Sequence, residues 1–515
     1  MVAEEPSTAR CGGGFLVAHG GKDIEFTMRY QDHTQGPVRP GGGRARSRWW
    51  AVGLAGVTGL ALSTVGVAAS PAADAVGRTL TASADHGDDR GRHDDKGKGG
   101  DRGKRDDKGQ HGEKGQHREK GQHGEKGQRD DKSRGSEKKP AGIPVPCDAD
   151  ALIAAITLAN ARGGAVLDLA KDCTYLLTAD IFDSGLPAIT TPITLNGGKH
   201  TTIERAAAAV GQFRIFTVDV GGDLTLNKLT VAGGQTSDDD GGGILVNAGG
   251  ALTTNHSTIT RNIAGGDSNS GGGIANFGTT RINHSAIVRN TASFQGGGIY
   301  SAGLLEIVKS HLDNNTSDDN GGGIFSTNST VTVKGGSISG NQASNGAAMF
   351  LSTSISTVTG TKITGNTASG STGGIRASVA SQLTMRHVSL ADNNASGLAG
   401  GLFVSAAGEG ESFATVEDSV IKNNVTSLIG GGIFNGGQTV LRHTKVIGNQ
   451  ASQGGGIQND GTISLFTTKV VENIAITNGG GIFNAGGTVN LNTATGTIVI
   501  KNRPNNCVNV PGCAG

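Results

Sequence analysis

The chain has 515 residues, of which 88 are glycine, 35% are hydrophobic and 4% are aromatic, and its formal net charge is +1. This is too apolar for wholesale disorder and too rich in glycine for an ordinary layered domain, so it points to a repeat protein. A near-zero charge with few aromatic rings offers nucleic acid neither an electrostatic footprint nor a stacking platform, and nucleic acid is not an expected partner.

Residues 1–75 read as an N-terminal extension and signal peptide. Arg39, Arg44, Arg46 and Arg48 precede the apolar run "WWAVGLAGVTGLALSTVGVAA" (49–69), and "SPAADA" (70–75) offers A-x-A-like cleavage sites. Met28 would give a more usual start, and no Arg-Arg pair supports a twin-arginine route. Twenty-one residues could also span a bilayer as a retained anchor. Glycine and alanine dilute the run, so cleavage and export are expected, with membrane association only if 49–69 is kept.

Residues 76–140 form a charged linker. Between 85 and 139 there are 17 Lys+Arg and 14 Asp+Glu and no large apolar side chain, so this tract is expected to be a disordered polyampholyte spacer. Its histidines, His86, His93, His111, His117 and His123, lack the packed surroundings of a metal site.

From 141 to 515 the pattern changes. "DADALIAAITLANARGG" (148–164) predicts a helix over 148–162, with Asp148 or Asp150 as N-cap, Leu152, Ile156 and Ala159 on one face, and Gly163 as the stop. Beyond it, the large aliphatic after each glycine cluster falls at Ile244, Ile274, Ile299, Ile324, Met349, Ile375, Leu402, Ile433, Ile457 and Ile482. An asparagine three residues after an aliphatic falls in step at Asn262, Asn290, Asn315, Asn341, Asn366, Asn393, Asn424, Asn449, Asn473 and Asn502.

Each unit is short on helix signals and alternates Thr, Val, Ile and Ser with period two, which predicts three brief strands per repeat. Such a unit cannot bury its apolar face alone, but units wound into a parallel coil pair strand on strand at about 4.8 Å and stack their aliphatic side chains inside. The glycines then serve tight turns and close backbones, and the asparagines form a ladder along equivalent turns. The helix at 148–162 would cap the first rung against end-to-end growth.

The "GGGI" and "I-x-x-N" phrases resemble the repeats of chlamydial polymorphic outer-membrane proteins. Residues 141–515 as a whole are similar to a bacterial right-handed parallel β-helix of the pectate-lyase-like superfamily. The fold class is therefore all-β, a parallel solenoid. No stretch is patterned as an outer-membrane barrel, and the period excludes calcium-binding nonapeptide repeats. Cys147 and Cys173 flank the cap helix and the strand after it, while Cys507 and Cys513 lie at the far end. In an exported protein we expect the pairs Cys147–Cys173 and Cys507–Cys513, the alternative being free buried thiols.

The superfamily resemblance implies lyases with calcium-binding aspartates and an arginine base, and hydrolases with paired aspartates. The acidic turns "SDDDGGG" (237–243) and "SDDNGGG" (317–323) are equivalent but three coils apart, roughly 14 Å, too far to act on one bond. Asp238, Asp239 and Asp240 could hold calcium by themselves, though a solvated turn is expected and no cofactor is required. Alignment also stacks His256 on His284, and His387, Asp418 and His443 on three successive coils, a row that could bind metal or move protons. The insertion "SAAGEGESFA" (405–414) would bring Glu409 and Glu411 near that row.

The expected function is a secreted or cell-surface structural or binding protein, monomeric and non-catalytic, that contacts cell-wall or extracellular polysaccharide. The alternatives are a polysaccharide lyase or glycoside hydrolase, and an adhesin-like surface protein.

Overall fold

In the repeat that begins at Ile244, Leu252 and Thr254 turn inward while Ala251, Thr253 and Asn255 turn outward, the pattern of a strand with one buried face. The computed structural model describes residues 142–406 and 410–514. The N-terminal extension with its apolar run, the charged linker with its five histidines, and Glu409 lie outside the described residues.

One coil shows the plan. Ile244–Val246 belongs to a ladder we call sheet D, Ala251–Asn255 to sheet A, Thr258–Thr260 to sheet B, and Ile263–Ala264 to sheet C. Each strand pairs in parallel with its equivalent one coil on, so Leu252 lies beside Thr280, Ile259 beside Ile287 and Ile244 beside Ile274. Among the described residues, repetition builds four sheets, of 14 strands (A), 13 (B), 12 (D) and 10 (C). The coil therefore has four strands and not the expected three. The extra one has only two residues in most coils, too few for alternation to show in sequence, and forms because the chain re-extends after the ladder asparagine.

Left-handed residues turn each coil at its corners. In this one they are Gly249 (φ 82°), His256 (φ 52°), Arg261 (φ 54°), Gly266 (φ 94°) and Gly271 (φ 70°). The glycine triplet at 271–273 meets two needs. Gly271 supplies the positive φ, and a Cβ on Gly273 would fall 2.6 Å from the carbonyl oxygen of Gly298 on the next coil.

Ile244, Val246, Leu252 and Ile259 and their equivalents fill the interior, fully buried. Each apolar side chain among them contributes about 1.5–3 kcal/mol on burial. Beside them runs the asparagine ladder. Asn262 donates from its backbone N–H (3.1 Å) and its Nδ2 (2.9 Å) to Oδ1 of Asn290, and Asn290 Nδ2 also donates to the Ile259 carbonyl (3.1 Å). The amide chain continues through Asn315, Asn341, Asn366, Asn393, Asn424, Asn449 and Asn473 to Asn502. A second buried ladder, of hydroxyls, follows the first corner, where Ser285 Oγ accepts from the Ser257 N–H and Ser310 Oγ from the Ser285 N–H.

The helix α1 spans Ala149–Ala161. Asp148 caps it by accepting from the Ala151 N–H at 2.8 Å, and it buries Leu152, Ile156 and Ala159 against the first coil. Cys147 is joined to Cys173 and Cys507 to Cys513. Among the described residues no helix is long and apolar enough to cross a membrane.

Candidate functional site

The first corner of each coil, between sheets A and B, carries the ionisable row. Asp172, His200, Lys228, His256, His284, Lys309, Gly335, Gly360, His387, Asp418, His443 and Thr467 occupy it in turn, with φ between 46° and 70°. A left-handed corner selects glycine or short polar side chains that tolerate it, which accounts for the many His and Asp there. His256 and His284 stack with ring centroids 5.1 Å apart. His443 Nδ1 lies 3.8 Å from Asp418 Oδ1, both exposed, and His387 sits one coil before Asp418.

Among the described residues no group of three or more His, Cys, Asp or Glu is arranged to hold a metal ion. Nor does Glu411 of the insertion reach this row. Glu411 precedes the sheet A strand Phe413–Glu417 and is held by Gln438 Nε2 at 2.8 Å, whereas Asp418 follows that strand. Seven residues of largely extended chain, roughly 20 Å, separate the two, because the strand runs straight between them.

The first acidic turn is organised differently from a calcium loop. Asp238 accepts from Ser237 Oγ at 2.9 Å, Asp239 pairs with the guanidinium of Arg214, and Asp240 accepts the Ser270 N–H at 2.7 Å. The three carboxylates thus face three separate partners. Arg214 is only 4% exposed in its side chain and also donates to the Asp240 carbonyl at 3.1 Å, while its Nε is buried without a partner in the described structure. Arg214, Thr217, Asp219, Asp240 and Phe277 line a cleft of about 430 Å³. Burial raises the Asp240 pKa and Asp239 raises it further, against the Ser270 N–H and Arg214, which lower it. Burial, then the charge of Asp240, raises Tyr300. Arg214 escaped sequence reasoning because it precedes the first repeat marker and its carboxylate partner lies a coil away.

The outer face of sheet D carries a spine that was legible in principle, as the residue after each aliphatic marker. Tyr300, Phe325 and Phe350 stack at 5.7 and 5.4 Å, Arg376 lies over Phe350 and Phe403 at 5.3 and 4.3 Å, and Phe403 stacks on Phe434 at 4.9 Å. The ring faces are taken up by one another, which makes the spine a packing device and not a platform for a ligand.

Sheet A presents a different surface. Its central outward column runs Thr332, Thr357, Thr384, Thr415 on four successive coils, and Thr194, Thr225, Thr253 nearer the cap. Beside the latter lies an outer amide ladder in which Asn196 donates to Asp168 (2.8 Å), Asn227 to Asn196 (2.9 Å), Asn255 to Asn227 (2.9 Å) and Asn283 to Asn255 (3.1 Å).

The family model for the right handed beta helix region matches residues 281–451. The fold of the described residues is a right-handed parallel β-helix. Among solved structures the chain is similar to the A-module of a mannuronan C-5 epimerase from Azotobacter vinelandii, at 16% identity over 71% of this chain and 97% of that one, with a TM-score of 0.38. It is also similar to a double mutant of the tailspike protein of E. coli bacteriophage HK620 in complex with a pentasaccharide, at 10% identity over 68% and 75% of the two chains, with a TM-score of 0.22. No curated protein matches the sequence.

Proposed function

We propose that this β-helix protein is a non-catalytic polysaccharide-binding protein of the extracellular space, and that the outer face of sheet A is its contact surface. The observation that carries this is the unbroken run Thr332–Thr357–Thr384–Thr415, which sets one hydroxyl per coil at about 4.8 Å along a regular surface. A polymer that repeats hydroxyl groups can engage such a row many times, and many weak contacts in register supply affinity without a deep pocket. The two disulfides suit an oxidising compartment.

The test replaces all four threonines by valine, which keeps the strand preference and removes the hydroxyls. Binding of the variant to insoluble cell-wall polysaccharide should fall at least tenfold with an unchanged melting temperature, and neither protein should release reducing ends or unsaturated products. Unchanged binding would overturn the assignment to sheet A.

A second reading, a polysaccharide lyase or hydrolase, is favoured by the cleft beside Arg214, where Asp240 is a carboxyl biased toward its protonated form in a cavity of sugar-unit size. Product release that Asp240→Asn abolished would establish it.

A further inference from the structure

Charge is not spread evenly along the solenoid. Residues 142–419 carry 14 Lys+Arg against 22 Asp+Glu, whereas residues 420–515 carry six Lys+Arg against two Asp+Glu, so the chain turns from net acidic to net basic in its last coils. The two distal acids are Asp460, held by Gln458 Nε2 at 2.9 Å beside sheet D, and Glu472 at the second corner, between sheets B and C. Most of the distal cations lie elsewhere, on sheet B and along that corner.

Sheet B changes character at the same point. On three successive coils its outward residues are His311 and Asp313, Ser337 and Ser339, and Lys362 and Thr364. Over the last four coils they become Val420 and Lys422, Lys445 and Ile447, Lys469 and Val471, and Ile498 and Ile500. Register sets Lys445 beside Lys469 and makes one aliphatic column of Ile447, Val471 and Ile500. Around the second corner the last strand of sheet C adds Ile474 and Ile476, the latter 81% exposed. Lys501 stands at the corner itself, and Arg503 lies beside Ile474. Among the described residues none of Lys422, Lys445, Lys469, Lys501 and Arg503 is paired with a carboxylate. A single exposed aliphatic on a strand is ordinary, but a contiguous set ringed by unpaired cations marks an interaction surface.

We infer that the outer face of sheet B over the last four coils, with the adjoining corner and the end of sheet C, docks on an anionic phospholipid bilayer. Aliphatic tips gain by entering the boundary between headgroups and acyl chains, while each lysine lays its stem along them and carries its ammonium to a phosphate. The acidic remainder of the coil is repelled by the same surface, so the molecule settles with its distal coils down. A two-fold contact between copies through this face would set Lys445 and Lys469 of one against those of the other, whereas a bilayer supplies the opposite sign. No aromatic side chain stands among the outward residues of these four sheet B strands, which leaves a nucleic acid without a stacking surface. The inference goes beyond the polysaccharide reading and is independent of it, because it uses a different face.

The experiment sediments the full chain, disulfides intact, with vesicles of equal parts phosphatidylglycerol and phosphatidylcholine, and with vesicles of phosphatidylcholine alone. The anionic vesicles should bind the protein more tightly, and less so as salt is raised. K445Q/K469Q should weaken that binding on the order of twentyfold, while K171Q/K199Q, which removes the same charge near the cap, should leave it unchanged. I474T/I476T keeps the strand preference and the charge, and should weaken binding several-fold with an unchanged melting temperature. Any binding through residues 49–69 or the charged linker is common to all variants, so retention that K445Q/K469Q does not reduce would overturn the inference. Equal binding to the two kinds of vesicle, or no binding to either, would overturn it as well. If I474T/I476T has no effect and heparin or a DNA duplex displaces the vesicles, the face is a site for a soluble polyanion and the inference falls. Self-association without vesicles that K445Q/K469Q abolishes would make a second copy the partner instead. The sheet A threonine variant should bind vesicles like the parent, whatever becomes of the polysaccharide reading.

Discussion

The side-chain amide of Asn366 donates to Oδ1 of Asn393 on the next coil at 2.9 Å and to the backbone carbonyl of Ile338 at 3.0 Å, in a fully buried position. Asn366 Oδ1 in turn accepts from both nitrogens of Asn341, at 3.0 and 2.9 Å. Asn366→Leu would take the acceptor from the buried Asn341 backbone N–H and the side-chain donor from the Ile338 carbonyl, while the Asn341 amide would keep only the Leu312 carbonyl and Asn393 Oδ1 only the backbone N–H of residue 366. We expect a loss of about 2–4 kcal/mol, read as a lower midpoint in urea. A loss below 0.5 kcal/mol would show that the ladder is incidental to stability.

Thr372 stands where most coils have the first glycine of the triplet. It is held at φ 70° and its buried Oγ1 has no partner in the described structure. Thr372→Gly removes both the left-handed strain and the orphaned hydroxyl, and should stabilise the protein by about 1 kcal/mol despite glycine's freer unfolded chain. Thermal unfolding measures this, and a lower midpoint would refute it.

The two disulfides close loops of unequal size. Cys147 and Cys173 are separated by 26 residues and Cys507 and Cys513 by 6. Loop entropy then assigns about 3.5 kcal/mol to the first bond and about 2 kcal/mol to the second. Serine pairs at each site, compared by denaturant midpoints, should rank in that order.

Asp240 has its pKa raised in the folded chain, first by burial and then by the nearby charge of Asp239. A carboxyl raised on folding holds its proton better in the native state, so its contribution is favourable below the ordinary carboxylate range and is lost as pH climbs through the folded value. Asp240→Asn keeps an acceptor for the Ser270 N–H and removes the charge. The variant should therefore melt higher than the parent at pH 7, and the gap should close as pH falls to the range where the carboxyl is protonated in folded and unfolded chains alike. A gap that widens on acidification would reverse the assignment.

What the sequence determined by itself was the period and the columns that its aliphatic and asparagine markers define. The spacing of Ile244, Ile274 and Ile299 and of Asn262, Asn290 and Asn315 establishes which residues share a column, since equivalent positions in a parallel coil pair by register. The cap helix was equally legible, because Leu152, Ile156 and Ala159 recur at helical spacing. The tertiary structure alone decided what happens across the coil and where the period breaks. It set Glu411 and Asp418 at opposite ends of one strand, turned Asp238, Asp239 and Asp240 to three partners, and buried Arg214 against a carboxylate from the next coil. A period carries distance along the axis; distance around the coil depends on corner conformations and on loops that have no repeat to betray them. For that reason the rows of side chains could be read from the chain, while the cleft that Arg214 and Asp240 share with Phe277 exists only in three dimensions.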